Sequence, residues 1–122
     1  MKRQNPERAF HAVVADYLRA SLPAGWRWST FPAGELRTER TAALLKRLGV
    51  QPGWPDIIVQ LPDGRDLHLE LKAPKGVLSP DQKAHQAACE AVGAPYVVAR
   101  TLDDVRAAVR AYGLPTRERA AV

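Results

Sequence analysis

The stretch from Pro55 to Lys72 limits what this chain can become more than any other, because two short apolar-rich runs, PDIIVQ and DLHLELK, flank the segment LPDGR. An Asp-Gly pair between such runs is a strong hairpin signal, since the tightest turns need positive φ, which Gly adopts freely and Asp tolerates. A two-residue turn at Asp63-Gly64 would set Pro62 opposite Arg65 and Glu70 opposite Ile57, with Asp56 one step from Glu70. Side chains alternate along a strand, so Leu67, Leu69 and Leu71 take one face and His68, Glu70 and Lys72 the other. Whether Asp56 and Glu70 share a face then depends on the register, which a one-residue shift or a bulge near Asp56 would reverse.

The flanking segments read as helices and two further strands. Asn5 caps a helix over residues 6–20 with Pro6 in its first turn, and Phe10, Val13, Val14, Tyr17 and Leu18 recur on one stripe that also carries Glu7. Trp26, Trp28 and Thr30 alternate with Arg27, Ser29 and Phe31 as a strand. Residues 38–48 form a helix with Leu44, Leu45 and Leu48 inward and Arg40, Lys46 and Arg47 outward, stopped at Gly49. Ser79-Pro80-Asp81-Gln82 opens a helix as a capping box, and Gly93 closes it. Tyr96 to Arg100 read as a buried strand and Asp103 to Tyr112 as a last helix, with residues 116–122 a frayed tail. This order predicts a single α/β domain over residues 1–115, a mixed β-sheet flanked by helices rather than a bundle or sandwich.

Two carboxylates and an ammonium on one hairpin suit phosphodiester hydrolysis. Mg²⁺ prefers oxygen ligands, and Asp56, Glu70 and the Leu71 carbonyl would supply them; Lys72, two residues after Glu70 on the same face, could orient the attacking water or offset charge on phosphorus. The bland alternative is a solvated polar face on an edge strand, with Asp56 merely ending a turn after Trp54-Pro55. On residue pattern alone the two readings are evenly matched.

Charge adds a weaker argument. The net charge is +5, and residues 1–50 carry nine Lys/Arg against four Asp/Glu whereas residues 51–100 carry five against six. A basic first half beside a more acidic middle fits a polyanion on one surface and a cation on another. The single cysteine, Cys89, excludes an internal disulfide. His85 and Cys89 stand four apart on one helix face, a spacing found in some zinc sites. The remaining nitrogen donors, His11 and His68, are scattered in sequence, so Cys89 reads as a small buried residue. There is no apolar run long enough to span a bilayer, no apolar leader in MKRQNPERAF and no phosphate-binding Gly-rich loop, which together read as a cytoplasmic protein without a nucleotide cofactor.

With GWPDIIVQ, LHLELK and LSPDQK in that order, the sequence resembles the PD-(D/E)xK nuclease superfamily, and within it the stand-alone virus-type replication-repair nuclease domains, VRR-NUC. The stretch ERTAALLKRLGVQPGWPD is similar to members encoded by phages. The resemblance implies a restriction-endonuclease-like fold and Mg²⁺- or Mn²⁺-dependent cleavage of DNA, with Asp56, Glu70, Lys72 and Gln82 catalytic. It places Glu7, Asp56, Glu70 and the Leu71 carbonyl at the metal, and implies branched DNA such as a four-way junction as substrate for a homodimer. Gln82 also has a local role as the third residue of its capping box, bonding back to Ser79. Arg37, Arg40, Lys46 and Arg47, and less strongly Lys75 and Lys83, are the candidates for phosphate contacts that position DNA without reading its bases. The alternative from another class is a catalytically silent DNA-binding module with a nuclease fold.

Overall fold

The computed structural model describes residues 6–31 and 39–113. Asn5, Arg37, Thr38 and the 116–122 tail lie outside them. The elements run α1 (Pro6–Ser21), β1 (Arg27–Thr30), α2 (Glu39–Arg47), β2 (Ile57–Gln60), β3 (Asp66–Leu71), α3 (Pro80–Val92), β4 (Tyr96–Ala99) and α4 (Leu102–Ala111). The four strands form one mixed sheet in the order β1-β2-β3-β4, antiparallel except for the parallel β3–β4 pair joined through α3. This is the expected α/β arrangement, a single small domain of sheet and flanking helices.

The alternation along the strands builds two layers. Ile57 and Val59 of β2 and Leu67, Leu69 and Leu71 of β3 join Val14, Tyr17 and Leu18 of α1 and Val105, Ala108 and Val109 of α4 in one buried apolar cluster. The opposite face of β3 carries His68, Glu70 and Lys72, all buried as well. A strand enclosed on both faces by helices and on both edges by β2 and β4 leaves no solvated side for these groups. The reading of Glu70 and Lys72 as the wet face of an edge strand therefore fails, since β3 is internal.

The hairpin register differs from the expected one. Ile57 pairs with Leu69 and Ile58 with His68. The reason is a three-residue loop: the Gly64 amide donates to the Leu61 carbonyl at 3.0 Å, the Leu61 amide donates to the Arg65 carbonyl at 2.8 Å, and Gly64 takes φ +93°. A tight turn ending in a left-handed Gly is the three-residue alternative to the two-residue hairpin, and it moves every pairing by one. Continued past Ile57, the observed register sets Asp56 opposite Glu70, on the same face.

Two further expectations are corrected. On α2, Leu44 and Leu48 face solvent, at 54% and 70% exposure, instead of inward. The periodicity marks an apolar stripe without showing what it faces, and α2 stands at the rim, where Ala42, Lys46 and Leu48 line an open cleft of about 600 Å³ with Phe31, Trp54 and Pro55. Along β4, Tyr96, Val97 and Val98 are half-buried and only Ala99 is buried, because β4 is an edge strand.

Gly53 shows how the segment ahead of the site is held. It sits at φ +85°, and a Cβ there would overlap the backbone carbonyl of Asp81 in the first turn of α3. Only a glycine lets residues 53–56 pass so close to α3. Gly53→Ala is expected to cost about 2 kcal/mol or more, read as a fall in Tm of several degrees by thermal denaturation; an unchanged Tm would show that the segment can move away freely.

Candidate active site

Asp56, Glu70 and Lys72 come together where β2 begins and β3 ends. Pro55 is buried and Asp56 is half-buried, and the Asp56 carbonyl accepts from the Phe31 amide at 2.8 Å, which extends the β1–β2 pairing. The Asp56 side chain is fixed by the opposite strand, where the Leu71 amide donates to its Oδ2 at 2.8 Å. Glu70 is 2% exposed and Lys72 8%. The Lys72 amide donates to the Ala99 carbonyl at 3.0 Å, keeping β3 straight beyond its last assigned residue.

Gln82 caps its helix and reaches the Glu70 carboxylate at once. Its Oε1 accepts from the Ser79 amide at 2.8 Å and its backbone amide donates to Ser79 Oγ at 3.2 Å, completing the capping box. Its Nε2 meanwhile donates to Glu70 Oε2 at 3.1 Å. The helix cap thus aims an amide at the carboxylate. The other oxygen, Glu70 Oε1, is buried and accepts from no N–H or O–H donor among the described residues.

Burial, then the neighbouring Asp56 charge and a hydrogen bond with Asp56, push the Glu70 carboxyl from 4.5 up to about 9; Lys72 acts in the opposite direction and Glu7 adds a smaller upward push. A carboxyl that keeps its proton because it is buried beside a second carboxylate is what an acidic cation site looks like when the proton stands in for the cation. The donor set of two carboxyls with one orphaned oxygen fits a hard divalent ion. Glu7, half-buried in the first turn of α1, is close enough to act on Glu70 electrostatically.

The basic candidates are spread out. Arg40, Lys46 and Arg47 are exposed on α2, with Lys46 on the cleft that reaches Trp54 and Pro55, and Lys75 in the loop after Lys72 and Lys83 in the first turn of α3 are exposed as well. Arg37 lies outside the described residues. A residue the sequence reading missed is Arg100, whose guanidinium donates to the carbonyls of Ala73 (3.0 Å), Pro74 (3.5 Å) and Gly76. It ties down the loop that follows Lys72. Arg100 closes β4 as an ordinary strand-end cation, and nothing in the sequence pairs it with that loop.

Compared by sequence, the chain matches no family profile and no curated protein. Compared by structure, it matches a solved "VRR_NUC domain protein" with a TM-score of 0.71 over 92% of this chain and 91% of that one, at 24% identity. A second solved structure, a "VRR_NUC domain", matches with a TM-score of 0.61 over 89% of this chain and 99% of that one, at 19% identity. The chain has the VRR-NUC fold. The restriction-endonuclease-like α/β architecture expected from the resemblance is therefore the observed one.

Within this VRR-NUC fold a second group of side chains lies directly beside the first. His68 shares the Glu70 face of β3, and His85 follows Gln82 on the inner face of α3, so the pairing of Glu70 with Gln82 is repeated by His68 with His85. His68 Nδ1 and His85 Nε2 are 3.0 Å apart, and Cys89 Sγ lies 3.4 Å from His85 Nε2 and 3.8 Å from His68 Nδ1. Trp54 covers the pair, its ring 4.8 Å from that of His85 and 5.7 Å from that of His68. Burial lowers the pKa of both imidazoles, helped at His68 by His85, and burial raises that of the Cys89 thiol, helped by Glu90. Cys89 is buried, as expected; of the two histidines taken as scattered, His68 meets His85, while His11 lies apart against Thr30 Oγ1 at 3.1 Å. The repeat of strand and helix spacing around the Glu70–Gln82 contact is the signal that could have joined them.

Among the described residues no helix is long and apolar enough to cross a membrane.

Proposed function

We propose that this chain is a metal-dependent nuclease that hydrolyses DNA phosphodiesters, selective for branched DNA such as a four-way junction and acting as a homodimer. The observation that carries the reading is the buried Glu70 carboxyl beside the half-buried Asp56 and a buried Lys72, with one Glu70 oxygen that accepts from no N–H or O–H donor among the described residues. Burying an acid and an ammonium beside a second carboxylate is costly, and a fold retains such a group where it serves chemistry. The VRR-NUC fold supports the same conclusion.

A Mg²⁺ or Mn²⁺ ion held by Asp56, Glu70 and the Leu71 carbonyl, with Glu7 beyond them, would supply Lewis acidity at the scissile phosphate and a more acidic water. The chain's own groups do the rest. The Leu71 amide holds the Asp56 carboxylate in place, and Gln82 orients Glu70 from the start of α3. Lys72 presents an ammonium where negative charge develops on phosphorus or on the attacking oxygen. Arg40, Lys46, Arg47, Lys75 and Lys83, with Arg37, would hold the phosphate backbone on either side. A symmetric dimer would offer two such sites to the two strands of a symmetric junction.

The test is cleavage of labelled four-way-junction, flap and linear DNA by the wild type and by Lys72→Ala, in Mg²⁺, Mn²⁺ or EDTA. Metal-dependent cutting is expected from the wild type, with the junction cut fastest, and a loss of about a hundredfold in Lys72→Ala at unchanged DNA binding. Salt-sensitive binding with no cutting in any metal would replace the enzyme by a silent DNA-binding module.

A further inference from the structure

The His68–His85–Cys89 group has the geometry of a metal centre of a different class from the acidic site. Tetrahedral zinc, with Zn–N of about 2.0–2.1 Å and Zn–S of about 2.3 Å, separates its nitrogen donors by about 3.3 Å and a nitrogen from a sulfur by about 3.5 Å. The three donors here stand 3.0, 3.4 and 3.8 Å apart, each within about 0.3 Å of those values. All three atoms point at one another from two elements, β3 and α3, and they are the only group of three or more His, Cys, Asp or Glu donors so gathered among the described residues.

We infer that His68 Nδ1, His85 Nε2 and Cys89 Sγ form a binding site for a zinc-class transition-metal ion, distinct from the acidic site at Asp56 and Glu70. Two imidazoles and a thiolate are a borderline-soft donor set, which selects Zn²⁺ or Co²⁺ over Mg²⁺. The bound ion displaces the proton from Cys89 Sγ to solvent as the metal–sulfur bond forms, and no redox change is involved. Three protein ligands leave a fourth position for a water molecule, and Trp54 shields the imidazole pair from one side.

The location gives the ion a definite consequence. His68 is two residues from Glu70 on one strand face, and His85 is three residues from Gln82 on one helix face. An ion joining His68 to His85 and Cys89 clamps α3 onto β3 one step from the Gln82–Glu70 hydrogen bond, so it fixes that contact without touching substrate.

The test uses the whole chain stripped of metal and titrated with Co²⁺, whose spectrum reports its ligands. One Co²⁺ per chain is expected, with a thiolate-to-cobalt charge-transfer band and tetrahedral visible bands, both removed by one equivalent of Zn²⁺ and neither by Mg²⁺. Zn²⁺ alone is expected to raise Tm by on the order of 5–10 °C. The band should vanish in Cys89→Ala and lose its tetrahedral form in His85→Ala, a half-exposed position whose change spares the core, and it should persist in Asp56→Asn, which alters only the acidic site. A wild type without the thiolate band, a band surviving Cys89→Ala, a band lost with Asp56→Asn, or a Tm indifferent to Zn²⁺ would each overturn the assignment and leave the three side chains as hydrogen-bonded core.

Discussion

Replacing Glu70 by Gln is expected to make the metal-free protein more stable at pH 8, by a few kcal/mol, while abolishing its response to Mg²⁺. Glu70 is 2% exposed and its carboxyl titrates near 9 instead of 4.5, first because burial disfavours its charge and then because Asp56 stands beside it. A carboxyl whose folded pKa is raised holds a proton in the native state that the unfolded chain has released. Its penalty is absent below about pH 4.5 and grows as pH rises toward 9, with a slope of up to about 1.4 kcal/mol per pH unit from this one group. Glutamine has the same shape and no charge to bury. Its amide can donate to Asp56, as the protonated Glu70 carboxyl does, and its oxygen can still accept from Gln82 Nε2. Denaturant unfolding from pH 5 to pH 9 in EDTA is the check: the wild type should lose stability across the window while Glu70→Gln stays nearly level. Mg²⁺ should restore the wild type at high pH and leave the variant unmoved. Parallel pH profiles would mean that Glu70 does not hold a proton in this window and that the acidic site has been misread.

How much of this could be seen in the sequence depends on the range of the interaction. Local signals held closely: the Ser79 capping box, the left-handed Gly93 after α3 and the alternation of Leu67, Leu69 and Leu71 against His68, Glu70 and Lys72 are all as expected. Each is settled by a few neighbouring residues. The register was not, because Asp63-Gly64 is compatible with a two- or a three-residue loop, and the choice lies in which strand pairing buries Ile57 and Val59 beside Leu67 and Leu69. That choice also decides that Asp56 meets Glu70. What α2 faces and what Arg100 holds were beyond local reasoning for the same reason, since both are set by the packing of distant segments. The burial of Lys72 is the most informative case. Alternation put it on the Glu70 face, but only the placement of β3 between β2 and β4, with α3 across that face, turns a polar strand face into an enclosed site.

Asp56→Asn should reduce metal-dependent cleavage on the order of a thousandfold with little change in fold. The side-chain oxygen that accepts from the Leu71 amide is kept by asparagine, so the link between the start of β2 and the end of β3 survives. What is lost is one of the two charges facing the cation position, and several kcal/mol of transition-state stabilisation depend on a cation there. Relief of Glu70 works in the opposite direction: without the Asp56 charge its carboxyl ionises more readily, so the variant without metal should lose less stability at high pH than the wild type. Less activity with less pH sensitivity is a combination that a merely structural Asp56 would not give. Lys72 sharpens the argument, because its ammonium acts on a phosphate that the Asp56–Glu70 pair must first hold in place. Asp56→Asn combined with Lys72→Ala should therefore cut no more slowly than Asp56→Asn alone, within a fewfold, whereas independent contributions would multiply. Single-turnover cleavage of the four-way junction by the two single variants and the double variant measures this. A double variant slower than Asp56→Asn by the full hundredfold of Lys72→Ala would separate the lysine from the acidic pair and assign it to holding DNA.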